Sequence, residues 1–156
     1  MKTVITIAMM MTLVSCFEQK SEKKVNVSQY ENIATEIIKN IKELSFEDLS
    51  VKTTALIEAS KSLASSISEI YPKCKAHLAN AVSEIEKMKT LSVEQIEEDY
   101  HDAQEAEDGI CAIAGEAIYH PVEAFAATKL KTQKAREIIK EEIEEVIEHL
   151  EIFKGE

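Results

Sequence analysis

The sequence is poor in the residues that build turns and strands. Its 156 residues include three glycines, two prolines and no tryptophan. Alanine, isoleucine, leucine, glutamate and lysine dominate instead, and this usage is typical of helices. Asp108-Gly109 is the clearest break in the chain. We find no internal repeat, and the sequence predicts an all-α protein.

The sequence also lacks the motifs of several catalytic and cofactor classes. It has no Cys-x-x-Cys-His for haem attachment and no His-Glu-x-x-His for zinc. A nucleophile elbow and a glycine-rich phosphate loop are also missing. The serines between Ser60 and Ser68 are small side chains that let helices pack closely. We therefore expect no enzymatic activity.

The charge is strongly one-sided. Asp and Glu number 29 against 18 Lys and Arg, and the net charge at pH 7 is −11. Such a charge repels nucleic acid and anionic lipid headgroups. We therefore expect no nucleic-acid partner, and we interpret the acidity mainly as an aid to solubility.

The longest apolar run lies near Met1. Lys2 is followed by residues 4–14 without a charged side chain, and charged residues begin soon after Cys16. The run is too short to cross a hydrocarbon core of about 30 Å as a helix. Its length and its basic flank are typical of a secretory leader, and they predict a signal peptide over residues 1–15.

The end of this run, Leu13-Val14-Ser15-Cys16, resembles the lipobox of bacterial lipoproteins. The resemblance implies that the signal peptide is removed and that Cys16 becomes a lipidated N-terminus. Residues 16–27 would then form a flexible tether, and residues 28–156 a helical bundle domain. Two or more acyl chains make such an anchor stable.

The same resemblance implies a place in the cell. It predicts a protein of the cell envelope, lipid-anchored to a bacterial membrane and facing the periplasm. Phe17, where an aspartate would favour retention, slightly favours the outer membrane. For a lipid-anchored domain without catalytic motifs, we expect a non-enzymatic structural or interaction role, no cofactor, and another envelope protein as the candidate partner.

Two cysteines remain once Cys16 is assigned to lipid. In an oxidising compartment, Cys74 and Cys111 are expected to form a disulfide. A loop of this length would stabilise the fold by roughly 4 kcal/mol in the chain-entropy model. The alternatives are a redox-active dithiol and a thiol pair that holds metal, and the absence of Cys-x-x-Cys weakens both.

Capping residues and prolines divide the domain into helices. Three serines stand three residues before an acidic or amide side chain, the spacing of helix N-caps: Ser28, Ser45 and Ser92. Pro72 predicts a kink or a new first turn, and Pro121 predicts the start of the last and longest helix. We expect a short helix from Ile110 to Tyr119. The whole should be an antiparallel four-helix-type bundle with a short irregular segment near residues 90–120.

The densest group of candidate ligands is Asp99-Tyr100-His101-Asp102, followed by His120-Pro121. Imidazole and carboxylate groups suit zinc, copper or iron. The alternative function is therefore binding of a divalent metal or haem through His101, Asp102 and His120. The competing interpretation is that both histidines hydrogen-bond backbone groups around the loop, with Tyr100 and Tyr119 packed beside them.

The glutamates from Glu137 to Glu148 alternate with isoleucine and valine at the helical period. This pattern predicts the solvated outer face of the last helix. His77 and His149 are interpreted as partly exposed helix residues.

A second resemblance covers about the last 85 residues of the chain. Five short patterns resemble those of a group of small exported helical bacterial proteins: Tyr71-Pro72-x-Cys74, Tyr100-His101-Asp102, Cys111, His120-Pro121 and Glu144-Glu145-Val146-x-x-His149-Leu150. The resemblance implies a helical fold and points to no particular mechanism.

Overall fold

A computed structural model describes residues 25–101 and 109–154. Over these residues the backbone forms six α-helices and no strand, which confirms the prediction of an all-α fold. The helices are α1 (Ser28–Asn40), α2 (Phe46–Ile70), α3 (Lys75–Met88), α4 (Val93–Ile96), α5 (Gly109–Thr128) and α6 (Gln133–Lys154). A 3₁₀ turn, Pro72–Cys74, leads into α3, and a π-helical segment, Glu97–His101, follows α4.

Helix α5 lies at the centre of the packing. It contacts α6, α2 and α3, whereas α1 contacts α2 and α6. Small side chains fill much of α5, and this allows neighbouring helices to approach it from several sides. Because most of the helix is enclosed, its polar residues are buried too, among them His120, Glu123 and Thr128.

The longer helices present apolar stripes to this centre. In α6 the buried stripe recurs at the spacing of three to four residues expected for one helix face: Ala135, Ile139, Ile143, Val146, Leu150 and Phe153. Ile37, Leu56 and Leu78 belong to the corresponding stripes of α1, α2 and α3. Burial of such residues is the main favourable contribution to folding.

Two of the three predicted serine caps are present. The Ser45 hydroxyl accepts a hydrogen bond from the Asp48 N–H at 3.0 Å. Ser92 forms a full capping box, in which its own N–H also donates to the Gln95 side chain at 3.1 Å. The prediction for Ser28 is wrong. Ser28 is already helical, and its N–H donates to the Asn26 side chain at 3.3 Å.

The two prolines behave differently from one another. Pro72 begins the 3₁₀ turn directly after α2, as one of the two predicted outcomes. The prediction that Pro121 opens the last helix is wrong, because Pro121 lies inside α5. The predicted short helix at 110–119 is therefore the first half of a longer one. The chain turns instead between α5 and α6, where Lys131 adopts a positive φ of 52°.

Cys74 and Cys111 are bonded, with their sulfurs 2.05 Å apart. The bridge joins the 3₁₀ turn before α3 to the first turn of α5, and it links the two cysteines that the sequence predicts to pair. Both cysteines are buried. The disulfide therefore fixes the start of α5 against the helices that enclose it.

Candidate metal site at His120

The site is built around His120, which lies in the middle of α5, directly before Pro121. Pro121 has no N–H, so the carbonyl of Ala117 one turn earlier loses its intrahelical partner. The hydroxyl of Tyr30 on α1 donates a hydrogen bond to that carbonyl. Burial raises the pKa of Tyr30 well above its usual value, so the hydroxyl keeps its proton. This contact compensates for a proline inside α5 and ties α1 to the turn that carries His120.

Four carboxylates surround the His120 ring. On one edge, Nδ1 lies 2.8 Å from Oε2 of Glu142 and 3.3 Å from Oε2 of Glu123. On the other edge, Nε2 lies 3.3 Å from Oε2 of Glu116 and 3.3 Å from Oε2 of Glu145. The side chain of His120 is only 4% exposed. The ring therefore separates two carboxylate pairs, and each pair has one member from α5 and one from α6.

His149 completes the cluster on α6. Its ring stacks on that of His120, with centroids 5.3 Å apart and an angle of 28° between the planes. His149 lies one helical turn after Glu145, so both side chains project from the same face of α6. Two imidazoles and four carboxylates thus meet between two neighbouring helices.

Electrostatics hold a proton on His120. Burial lowers the pKa of His120, but hydrogen bonds to Glu123 and Glu142, together with their charges, outweigh it and raise the pKa from 6.5 to about 10. At neutral pH the ring is therefore an imidazolium ion that donates to the carboxylates. One positive charge faces four carboxylates, so the cluster keeps an attraction for further cations.

The pKa of Glu142 is set by effects that oppose one another. Burial raises the pKa of Glu142, the hydrogen bond to His120 lowers it, and the charge of Glu123 raises it again. The net result is a pKa raised from 4.5 to about 7. Because Glu142 lies close to the like charge of Glu123, its ionised form is stabilised by any cation that replaces the proton on His120.

The donor atoms of His120, Glu142 and Glu145 have the spacing of a metal site. One ligand atom from each lies within 4.8 Å of the other two. Protein nitrogen and oxygen ligands stand about 2.0–2.2 Å from a zinc-like ion, so two ligand atoms of one ion are at most about 4–4.4 Å apart. Because Glu142 and Glu145 contact opposite edges of the ring, one of the two carboxylates has to rotate toward the other's nitrogen for the three residues to bind one ion.

These three residues line a cleft open to solvent. The cleft has a volume of about 360 Å³, and its rim includes Glu94, Glu97 and Glu141 as well as Lys134. Those rim residues are exposed. Clefts lined by one sign of charge raise the local concentration of counter-ions. A divalent ion thus has an acidic route to His120.

Of the three predicted ligands, His120 is the one that the described part of the chain places in this cluster, and the side chain of His101 lies outside that part. His120 is at the centre of the cluster. His101 ends the π-helical segment Glu97–His101, and Asp102 lies outside the described residues. The predicted joint site of His101, Asp102 and His120 therefore stays a prediction, as does lipidation at Cys16, which also lies outside the described residues. Tyr100 and Tyr119 do pack together, with ring centroids 5.9 Å apart.

The interpretation of the α6 glutamates as a purely solvated face is wrong for Glu142, whose side chain is only 17% exposed and contacts His120. Glu145 is half-exposed and also contacts His120. Both precede a residue of the buried α6 stripe by one position, and His149 does the same before Leu150. In the sequence, this position one residue before a buried apolar residue is the signal that could have identified these three side chains.

No protein-family model, no curated protein and no solved structure matches this chain. Among the described residues, no helix has both the length and the apolar character needed to cross a membrane.

Proposed function

We propose that this chain is a lipid-anchored cell-envelope protein whose helical domain binds a divalent transition-metal ion at His120, Glu142 and Glu145. The observation that carries the proposal is the convergence of one imidazole and two carboxylates within 4.8 Å. All three line one acidic cleft. The donors come from α5 and α6, which pack directly against each other. The site therefore rests on two rigid elements rather than on a loop.

The donor chemistry favours an ion over haem. Haem iron takes axial histidine, methionine, cysteine or tyrosine, whereas mixed imidazole and carboxylate sets suit Zn²⁺, Mn²⁺, Fe²⁺ or Co²⁺. The carboxylates that line the cleft would also face the apolar edge of a porphyrin at a desolvation cost. A divalent ion instead neutralises them.

The leading expectation from the sequence, a structural or interaction role with another envelope protein, concerns the same domain and stays a prediction. Metal binding is compatible with it, because an ion that joins α5 to α6 would stabilise the folded domain by mass action.

The anchor and the arrangement of helices belong to the proposal as well. The lipobox-like Leu13-Val14-Ser15-Cys16 supports lipidation at Cys16, a periplasm-facing domain and, through Phe17, the outer membrane. The short connection between α5 and α6 and the pairwise packing of α1, α2, α5 and α6 support an antiparallel four-helix-type bundle.

Metal binding is tested with Co²⁺ on the purified chain after treatment with a chelator. We expect visible d–d bands and saturation with at least one ion per chain. His120→Gln and Glu142→Gln should each weaken binding by at least tenfold, since each replaces an imidazole or carboxylate donor with a weaker neutral amide. Glu148→Gln, an exposed glutamate of the same helix, should leave the titration unchanged.

The absence of bound Co²⁺ in the unaltered chain, with the fold verified by circular dichroism, would overturn the metal proposal. So would equal affinities in Glu142→Gln and Glu148→Gln. In either case the His120 cluster would be a structural ion network.

The anchor is tested separately in bacterial cells that express the full chain. Labelled palmitate should be incorporated into the unaltered protein and not into Cys16→Ala. Equal labelling of the two proteins, or none in either, would contradict lipidation at Cys16.

A further inference from the structure

The cluster around His120 contains more donors than one ion needs. Each of two neighbouring helices contributes two carboxylates and one imidazole. The six residues are Glu116, His120 and Glu123 of α5, and Glu142, Glu145 and His149 of α6. Their spacings place each set of three on one helix face over two turns.

The donors divide into two groups, one at each edge of the His120 ring. Glu123 and Glu142 face Nδ1, and both line the cleft, as does Glu145. Glu116 and Glu145 face Nε2. Glu116 and His149 are not among the residues that line the cleft. The structure thus defines one position at the Nδ1 edge of His120 and a second position at the Nε2 edge.

Charge balance favours two ions over one. The four carboxylates are at most half-exposed, and Glu123 is only 2% exposed. One divalent ion supplies only two positive charges for these four carboxyl groups. Uncompensated charge in a poorly solvated site is costly. Two divalent ions balance four carboxylates.

We propose that the cluster binds two divalent transition-metal ions, the second held by Glu116 and His149 with Glu145 shared between the two. This inference rests on the proposed function, because the first ion occupies the site of His120, Glu142 and Glu145. Glu116 and His149 each contact His120, with Glu116 Oε2 3.3 Å from Nε2 and the His149 ring stacked on the face of the His120 ring. A carboxylate shared by two ions allows them to lie only a few ångströms apart, about 3.5–4 Å in known two-metal sites.

The test uses the full chain, freed of metal and loaded with Mn²⁺. Native mass spectrometry counts the ions bound per chain, and electron paramagnetic resonance distinguishes an exchange-coupled pair from isolated ions. We expect two ions and a coupled signal in the unaltered chain. Glu116→Gln and His149→Gln should each hold one ion and give the signal of isolated Mn²⁺. Glu148→Gln, next to His149 but exposed, should keep two ions and the coupled signal.

The possible outcomes separate this inference from the proposed function. A single isolated ion in the unaltered chain would overturn the second site and leave the first intact. No bound ion would overturn both. If the unaltered chain, Glu116→Gln and His149→Gln all bind two ions without exchange coupling, the second ion lies elsewhere on the acidic surface. The count and the coupling in the unaltered chain together decide the matter even if one variant fails to fold.

Discussion

The imidazole of His149 stacks on that of His120 at a centroid separation of 5.3 Å. His120 belongs to α5 and His149 to α6, so this contact joins the two helices at the level of the carboxylates. The contact has two separable components. One is the packing of two flat rings, and the other is the nitrogen atoms that His149 offers to a cation.

His149→Phe separates these components. Phenylalanine retains a ring that can stack but has no ligand atom. The free energy of unfolding of the metal-free Phe variant should therefore lie within about 1 kcal/mol of that of the unaltered chain. His149→Ala should lower the free energy of unfolding by about 0.5–1.5 kcal/mol. Urea denaturation of both variants provides the measurement. The Phe variant should nevertheless bind one Mn²⁺ fewer. A full metal complement in His149→Phe would show that the ring has only a packing role.

The stability of the metal-free protein should fall as the pH rises above 6.5. His120 has a pKa of about 10 in the folded chain against 6.5 in the unfolded one, so protonation favours the folded state. Its contribution is complete below about pH 6.5 and disappears as the pH rises through 10. Glu142, raised from 4.5 to about 7, acts in the same direction at lower pH.

His120→Gln is the comparison for this pH dependence. Urea denaturation of both proteins between pH 6 and pH 10 should show a smaller decline in the variant, because the main titrating group is gone. The other groups that face His120 are Glu116, Glu123, Glu142, Glu145 and His149, and all are retained. Parallel declines in the two proteins would contradict the assignment of the pH dependence to His120.

Metal binding should release protons. An ion that uses a nitrogen of His120 displaces the proton held there at neutral pH, and the affinity for Co²⁺ should therefore rise between pH 7 and pH 10. Isothermal titration calorimetry at pH 8 in buffers of different ionisation enthalpy counts the protons released. We expect about one or more per chain. A heat independent of the buffer would mean that His120 keeps its proton and lies outside the coordination sphere.

Tyr30 and Pro121 should be energetically coupled. Tyr30→Phe leaves the Ala117 carbonyl buried without a donor and should lower the free energy of unfolding by about 1–3 kcal/mol. Pro121→Ala restores an N–H at position 121. In that background, Tyr30→Phe should therefore have a much smaller effect. A double-mutant cycle by urea denaturation measures the difference, and strict additivity would contradict the coupling.

Removal of the disulfide should weaken the whole domain. The bridge closes a loop with a sequence separation of 37 residues, and Cys74→Ser combined with Cys111→Ser should lower the free energy of unfolding by about 4 kcal/mol. Thermal or urea denaturation of the double variant tests this value. The unaltered chain in a reducing agent serves as the control. A double variant as stable as the oxidised protein would show that the bridge adds nothing to the fold.

Local signals in the sequence predict much of the fold correctly. Ser45 and Ser92 cap α2 and α4 through contacts three residues away, and such short-range contacts are visible in a sequence. Pro121 is the instructive failure. A proline within a helix is normally excluded because it leaves a carbonyl without its partner, and here the missing donor comes from Tyr30 on another helix. No local pattern contains that information.

The candidate site divides in the same way. His120 is visible as a candidate ligand from its chemistry and its neighbouring proline. Its partners Glu142 and Glu145 belong to a run of glutamates that also contains exposed members such as Glu148. Only the packing of α6 on α5 decides which of them face the histidine. Glu142 and Glu145 each stand one residue before a member of the buried stripe. This position reduces the number of glutamates that could face the histidine, but it does not identify the partner helix.

The hydrogen bond between Tyr30 and the Ala117 carbonyl also has an evolutionary consequence. It makes the hydroxyl at position 30 useful only while position 121 is proline. Lineages that diverge from this chain should therefore exchange the two residues together, with phenylalanine or leucine appearing at 30 where an ordinary helix former has replaced the proline. A homologue that keeps the proline but has no hydroxyl at 30 would have to supply another donor near Ala117, and its sequence should reveal a polar substitution on a neighbouring helix.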